Sequence, residues 1–165
     1  MVFDRILCPE DDERYMLEAM READLAAQAG EVPVGAVIVR DGEIIARAHN
    51  LVETSSRSSA HAEMLAIEMA ERATGAKWLP DTTMYVTLEP CSMCAGAMVL
   101  ARIPRLVIGA SDPKTGACGS VFNVAANDRL NHRIEIRTGV LGEECSEQLR
   151  EFFRSRREDN KAARQ

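Results

Sequence analysis

Between Leu88 and Met98 the chain reads Leu-Glu-Pro-Cys-Ser-Met-Cys-Ala-Gly-Ala-Met, and this stretch constrains the fold more than any other. Just before it, Met84-Tyr85-Val86-Thr87-Leu88 alternates as a strand and contains β-branched and aromatic residues. After Pro90, the run from Cys91 to Arg102 is rich in Ala, Met and Leu and predicts a helix that Pro104 ends. Proline ahead of a first turn suits the transition, because no amide donor is needed there. Cys91 and Cys94 would share one turn with their sulfurs on the same side. The amides and dipole at that helix end favour thiolate over thiol. Two thiolates held this way form half of a tetrahedral zinc shell.

A lone Cys-x-x-Cys also fits a buried pair of small apolar residues or a redox couple. A four-cysteine zinc site would need a second Cys-x-x-Cys, and the chain has none. The third ligand must come from another residue type, and Ala60-His61-Ala62-Glu63 opens a further helical run upstream. His-x-Glu together with Pro-Cys-x-x-Cys is the signature of zinc-dependent nucleobase deaminases. His61, Cys91 and Cys94 then give three ligands and leave the fourth position for water, as catalytic zinc requires. Neither His49 nor His132 has the spacing of a fourth ligand. Glu63 suits a proton carrier better than a ligand beside two thiolates, with a pKa raised by burial. Residues two apart on a regular helix diverge by roughly 200°, so His61 must lie in the first turn for both to face one site.

Along the chain, residues 1–11 read as a loose arm. Asp12 to Ala29 predicts a helix: Tyr15, Ala19, Ala23 and Ala26 recur at helical spacing, and Gly30 stops it. Val34–Val39 and Glu43–Ala48 are antiparallel strands joined at Asp41-Gly42. Leu51–Ser59 reads as a Ser-rich loop able to line a pocket. A helix from Ala60 or His61 to about Ala73 turns Met64, Ile67 and Ala70 inward, with Leu65 beside them. Arg105–Gly109 is a buried strand, Asp112–Gly119 a loop, and residues 133–138 a strand with one wet face. The last helix runs from Gly142 to about Arg157, with Leu149 and one of Phe152 and Phe153 inward. Aromatics are only 4% of the chain, so the core must be built from Val, Ile, Leu, Met and Ala. These elements predict one domain over residues 1–165, an α/β fold: a three-layer α/β/α sandwich, with a mixed central sheet and an N-terminal antiparallel hairpin.

The net charge of −6 offers no global attraction for nucleic acid, so a basic surface must be local. Residues 150–165 supply one: six basic and three acidic side chains, with two phenylalanines close by. Five cysteines, an odd number, point to a reducing compartment. No apolar run approaches the ~20 residues that cross a bilayer, and the first twelve residues do not form a secretion signal. A cytoplasmic protein is expected.

With these residues in view, the chain resembles the bacterial tRNA-specific adenosine deaminases, within the cytidine-deaminase-like superfamily. The shared segments are Val32-Pro33-Val34-Gly35-Ala36-Val37, Ala60-His61-Ala62-Glu63, Leu88 to Met98, and Gly109-Ala110-x-Asp112-x-Lys114-Thr115-Gly116. Asn131-His132-Arg133, Gly139-x-Leu141 and Phe152-Phe153-Arg154 match as well. The resemblance implies hydrolysis of adenosine to inosine at the first anticodon position of a tRNA, an arginine tRNA above all. It further implies one Zn2+ per subunit, a homodimer, and substrate contacts from Val34, Asn50, Ala62, Asp112, Phe153 and Arg156. Asn50 would hydrogen-bond the flipped base, and Asp112 a neighbouring 2′-hydroxyl. The family's Pro-Thr before Ala-His is Ser58-Ser59 here, and Cys118 replaces a common alanine. A deaminase of free guanine, cytosine or a nucleoside would keep the same zinc ligands without a basic tail. A non-catalytic zinc-stabilised module would keep them without turnover.

Overall fold

The computed structural model describes residues 9–165. The expected arm lies outside the described residues except for its last three, which belong to helix α1, Pro9–Gln28. Proline tolerates the first helical position, and the acidic run behind it suits the positive end of the dipole.

Five strands form one sheet: β1 Gly35–Arg40, β2 Glu43–His49, β3 Thr82–Leu88, β4 Arg105–Ala110 and β5 Glu135–Arg137. Their order is β2-β1-β3-β4-β5. The pairs β1/β2 and β1/β3 are antiparallel, while β3/β4 and β4/β5 are parallel. Asp41 and Gly42 both have positive φ, 51° and 79°, which the tight hairpin between β1 and β2 requires.

Strand alternation divides the core in two. Ile38, Met84, Val86, Leu106 and Ile108 meet helices α3, Ala62–Thr74, and α4, Ser92–Leu100. Val37, Val39, Tyr85 and Val107 face α1 and the N-terminal part of α5, Gly142–Ala162. The three-layer α/β/α sandwich around a mixed sheet is therefore observed. No helix among the described residues is long and apolar enough to cross a membrane.

Several local expectations are corrected. The Leu51–Ser59 loop contains a short helix, α2, Val52–Ser55. On α3 the inward face is Ala62, Glu63, Ala66, Ile67 and Ala70, whereas Met64 and Leu65 are only half-buried. Small alanines bring that helix close to the sheet, and the larger side chains lean outward. The strand expected at 133–138 contracts to three residues. Helix α5 runs five residues past Arg157, and of its phenylalanines Phe152 is half-buried and Phe153 exposed.

An ion cluster ties α1 to the sheet. Asp12 is fully buried, takes both guanidinium nitrogens of Arg105 at 2.9 Å, pairs with Arg137, and accepts a 2.8 Å hydrogen bond from Tyr85. Burial would raise its pKa, but the bonds from Arg105, Tyr85 and Arg137 prevail and hold it below the usual carboxylate value.

Candidate active site

Helices α3 and α4 start beside each other, and the residue preceding each one supplies a ligand atom. His61 caps α3 with extended backbone angles (φ −71°, ψ 150°), and Cys91 caps α4 likewise (φ −73°, ψ 176°). Both ligands thus lie one residue outside the helix rather than in its first turn. That resolves the angular conflict between His61 and Glu63, because an extended residue does not follow the helical rotation. The third ligand, Cys94, lies in the first turn of α4 and is fully buried.

His61 Nδ1 lies 3.6 Å from Cys91 Sγ and 3.5 Å from Cys94 Sγ, and all three ligand atoms fall within 4.8 Å of one another. Zinc bonds of ~2.3 Å to sulfur and ~2.0–2.1 Å to nitrogen at tetrahedral angles separate N from S by about 3.6 Å. The donor set and its spacing therefore fit a zinc ion. Cys91 is drawn down to about 4, first by a hydrogen bond from the Cys94 thiol and then by His61. Cys94 is pushed up as the donor of that pair and by burial. The bond with Cys91 raises His61.

Glu63 Oε2 lies 4.0 Å from His61 Nδ1. The side chain is almost completely buried, and burial above all pushes its pKa up to about 7. A carboxyl group at that value both takes and gives protons near neutrality.

These groups border a pocket of about 300 Å3. Val34, Asn50, Ala62 and Asp112 line it, together with His61, Glu63 and Cys91. Asn50 Nδ2 donates to the Val32 carbonyl at 3.4 Å and Oδ1 accepts from the Val52 amide at 3.3 Å. One donor and one acceptor site of its amide remain for another partner. Asp112 caps its own turn: Oδ1 accepts the amides of Lys114 and Thr115, and Oδ2 accepts the Thr115 hydroxyl at 2.7 Å. Phe153 and Arg156 lie outside this pocket. Arg156 donates to the Gly30 carbonyl and stacks over Phe152. Phe153 lines a separate concavity with Lys114, Leu149, Arg150, Arg154 and Arg157.

Two buried carboxylates at the pocket escaped sequence reasoning. Glu89 accepts the amides of Asp112, Cys118 and Ser120 at 3.3, 3.1 and 3.2 Å, as well as the Ser120 hydroxyl. Glu31 accepts the amides of Glu53 and Thr54. The signal for Glu89 was a lone charge at the end of an apolar strand; Glu31 gave none beyond following a helix-stopping glycine.

A mixed sheet whose α3 and α4 ends converge a histidine, two cysteines and a buried glutamate defines a deaminase of the cytidine-deaminase-like class. Residues 10–157 match the family model described as MafB19-like deaminase. A tRNA-specific adenosine deaminase of Bacillus subtilis is 56% identical over 153 residues, 93% of this chain and 95% of the relative. A solved structure from studies of A-to-I editing by tRNA:A34 deaminases at the wobble position superimposes with TM-score 0.79. It is 43% identical, and the match covers 82% of this chain and 99% of that one. A guanine deaminase from Nitrosomonas europaea superimposes with TM-score 0.72 at 25% identity, over 85% and 83% of the two chains. The chain belongs to the tRNA-specific adenosine deaminase family.

Proposed function

We propose that this protein hydrolyses adenosine to inosine at the first anticodon position of a tRNA. The observation that carries the reading is the meeting of His61, Cys91 and Cys94 with a buried Glu63 beside a pocket that Asn50 lines. His61, Cys91 and Cys94 would hold one Zn2+ per subunit, whose contribution there would be to acidify a water for attack near neutral pH. Glu63 takes one proton from the attacking water and gives it to the purine ring nitrogen beside the attacked carbon; it then takes the second from the hydroxyl now on that carbon and passes it to the departing amine as the C–N bond breaks and the carbonyl forms. Ammonia leaves and inosine remains. Asn50 reads the edge of the flipped base through its free donor and acceptor, while Val34 and Ala62 bound the pocket.

Asp112 contacts the 2′-hydroxyl of a neighbouring nucleotide through the remaining capacity of its carboxylate. The anticodon loop lies along α5. Glu143 and Glu147 already pair with Arg150, and Glu147 lies within reach of Arg154. Among the described residues Arg157, Lys161 and Arg164 make no ion pair, so they remain for phosphates, with Phe153 exposed for stacking. Arg156 anchors α5 beside the pocket. The substrate is an arginine tRNA, on the family resemblance. The enzyme is a homodimer; the exposed Trp78, Met93 and Leu100, on or beside α4, support the pairing. A tRNA substrate and unpaired cysteines support a cytoplasmic location.

The likeness to a guanine deaminase favours a second reading, hydrolysis of a free base. Turnover of an anticodon stem-loop carrying adenosine at the first anticodon position, against free adenosine and guanine, separates the two. We expect turnover of the stem-loop, and binding that weakens with salt at a logarithmic slope of about −0.7 per phosphate contact. A stem-loop bound and converted no better than the free compounds ends the tRNA reading.

A further inference from the structure

Helix α1 closes with a double hydrogen bond: Glu31 N donates to the Ala26 carbonyl at 2.9 Å and Gly30 N to Ala27 at 3.0 Å, with Gly30 at φ +77°. The residue that follows the left-handed glycine in this motif is commonly apolar and packs back on its own helix. Here it is a glutamate, fully buried, among the residues that line the pocket. No lysine or arginine pairs with it among the described residues. Its two oxygens divide the opening amides of α2 between them: Oε1 accepts Thr54 N at 2.6 Å and Oε2 accepts Glu53 N at 3.2 Å. Residue Leu51, which precedes α2, makes no side-chain cap. A buried anion without a cation is costly unless hydrogen bonds hold it. Burial raises this carboxyl, but the bonds from Thr54 and Glu53, with His49 nearby adding to them, prevail and keep it below the usual range.

These contacts lead to Asn50. The Val52 amide, next to those that Glu31 holds, donates to Asn50 Oδ1, and the Val32 carbonyl, next to Glu31 itself, accepts from Asn50 Nδ2. The two atoms that orient the Asn50 amide therefore belong to a neighbour of Glu31 and to a neighbour of its contact Glu53. We propose that Glu31 is a positioning residue for substrate recognition: it docks α2 against the end of α1 and so sets the plane in which Asn50 presents its amide to the base. Its negative charge is what the site needs, because two converging N–H groups require an acceptor at both oxygens. Glutamine offers one acceptor and turns an NH2 group toward the other amide. The inference rests on the base-binding role proposed for Asn50.

The test is steady-state kinetics on the anticodon stem-loop with zinc-loaded Glu31→Gln, Glu31→Ala, Asn50→Ala and the Glu31→Ala/Asn50→Ala double variant. Losing hydrogen bonds to a charged group raises KM by about 10- to 100-fold in Glu31→Ala, with a smaller rise in Glu31→Gln. We expect kcat to fall by less than about threefold, because Glu63 and the metal ligands lie outside these contacts. On the Asn50→Ala background the Glu31→Ala effect should largely vanish, since residues acting as a unit are not additive. An unchanged KM, or an Asn50-independent effect of full size, overturns the proposal. Should Glu31→Ala fail to fold, Glu31→Gln carries the same comparison. Amide hydrogen exchange at Glu53 and Thr54 gives a readout independent of substrate. Faster exchange there in Glu31→Gln than in the parent supports the docking contact, even for a chain that never converts the stem-loop; equal exchange refutes it.

Discussion

His61 and Cys91 occupy the same position in two different helices, each as the residue before the first turn, with Nδ1 and Sγ 3.6 Å apart. Such a position usually uses its side chain to accept an orphan amide of the first turn. Neither does here, and both side chains turn toward the ligand cluster instead. Two helix N-termini thus face one centre, and their dipoles favour negative charge on the sulfur ligands gathered there.

It follows that Cys91→Ala removes a ligand without removing a cap. Its metal-free form should lie within about 1 kcal/mol of the metal-free parent in denaturant unfolding, because no cap hydrogen bond is lost. Zinc content, measured by atomic emission, should collapse together with turnover. A variant that keeps stoichiometric zinc would remove Cys91 from the ligand set.

Glu63 separates chemistry from metal binding. Replacing it with Gln keeps the volume of a buried side chain and deletes its proton exchange. Turnover should fall by roughly 10²- to 10⁴-fold while zinc content stays at the parental level. Loss of zinc instead would make Glu63 a ligand, and retained turnover would move the proton transfer elsewhere.

What was legible in the sequence is what short-range chemistry fixes. The Asp41-Gly42 turn, the Gly30 stop of α1 and the pairing of His61 with Cys91 and Cys94 all follow from residue types at fixed spacings. Helix α2 was not legible, because three of its four residues, Val, Thr and Ser, form helices weakly and the acceptor for its amides, Glu31, lies 22 and 23 residues away. The inward face of α3 was misread because large apolar side chains were given the core that alanines occupy. Asp12 looked like one more acid in a first turn, yet its partners are 73, 93 and 125 residues downstream. Glu89 stands on the near side of this line: its place after an apolar strand was visible, though not the loop it holds.

That loop has little room for change at Gly116. A Cβ there would sit 2.3 Å from Glu89 Oε2 and 2.5 Å from the Asp112 carbonyl, and the second contact is backbone. Gly116→Ala must therefore displace Glu89 or the turn that carries Asp112 and Thr115. The cost should be about 1–3 kcal/mol of stability, as for an overpacked core. Because that turn borders the pocket, kcat/KM on the stem-loop should fall in addition, while zinc content holds. Full activity with parental stability would show that the 112–120 loop adjusts freely.

Asp12 gives the fold a defined weakness to acid. The carboxylate is fully buried against Arg105 and Arg137, whose own side chains still reach solvent at 21% and 38%. Removing one member of a buried ion pair costs about 3–5 kcal/mol, and the partial exposure of both arginines places Asp12→Asn toward the lower end at pH 7. Since the folded carboxyl titrates below its ordinary 3.8, its stabilisation is complete above that value. It is lost as the pH falls from there through the folded pKa, where the proton bound by the unfolded chain first is bound by the native one too. Asparagine has no such titration, so the gap between parent and Asp12→Asn should be wide at pH 7 and narrow steadily below about pH 4. Urea unfolding of both proteins across that range measures the gap directly. Two parallel pH profiles would mean that the cluster holds α1 by shape rather than by charge.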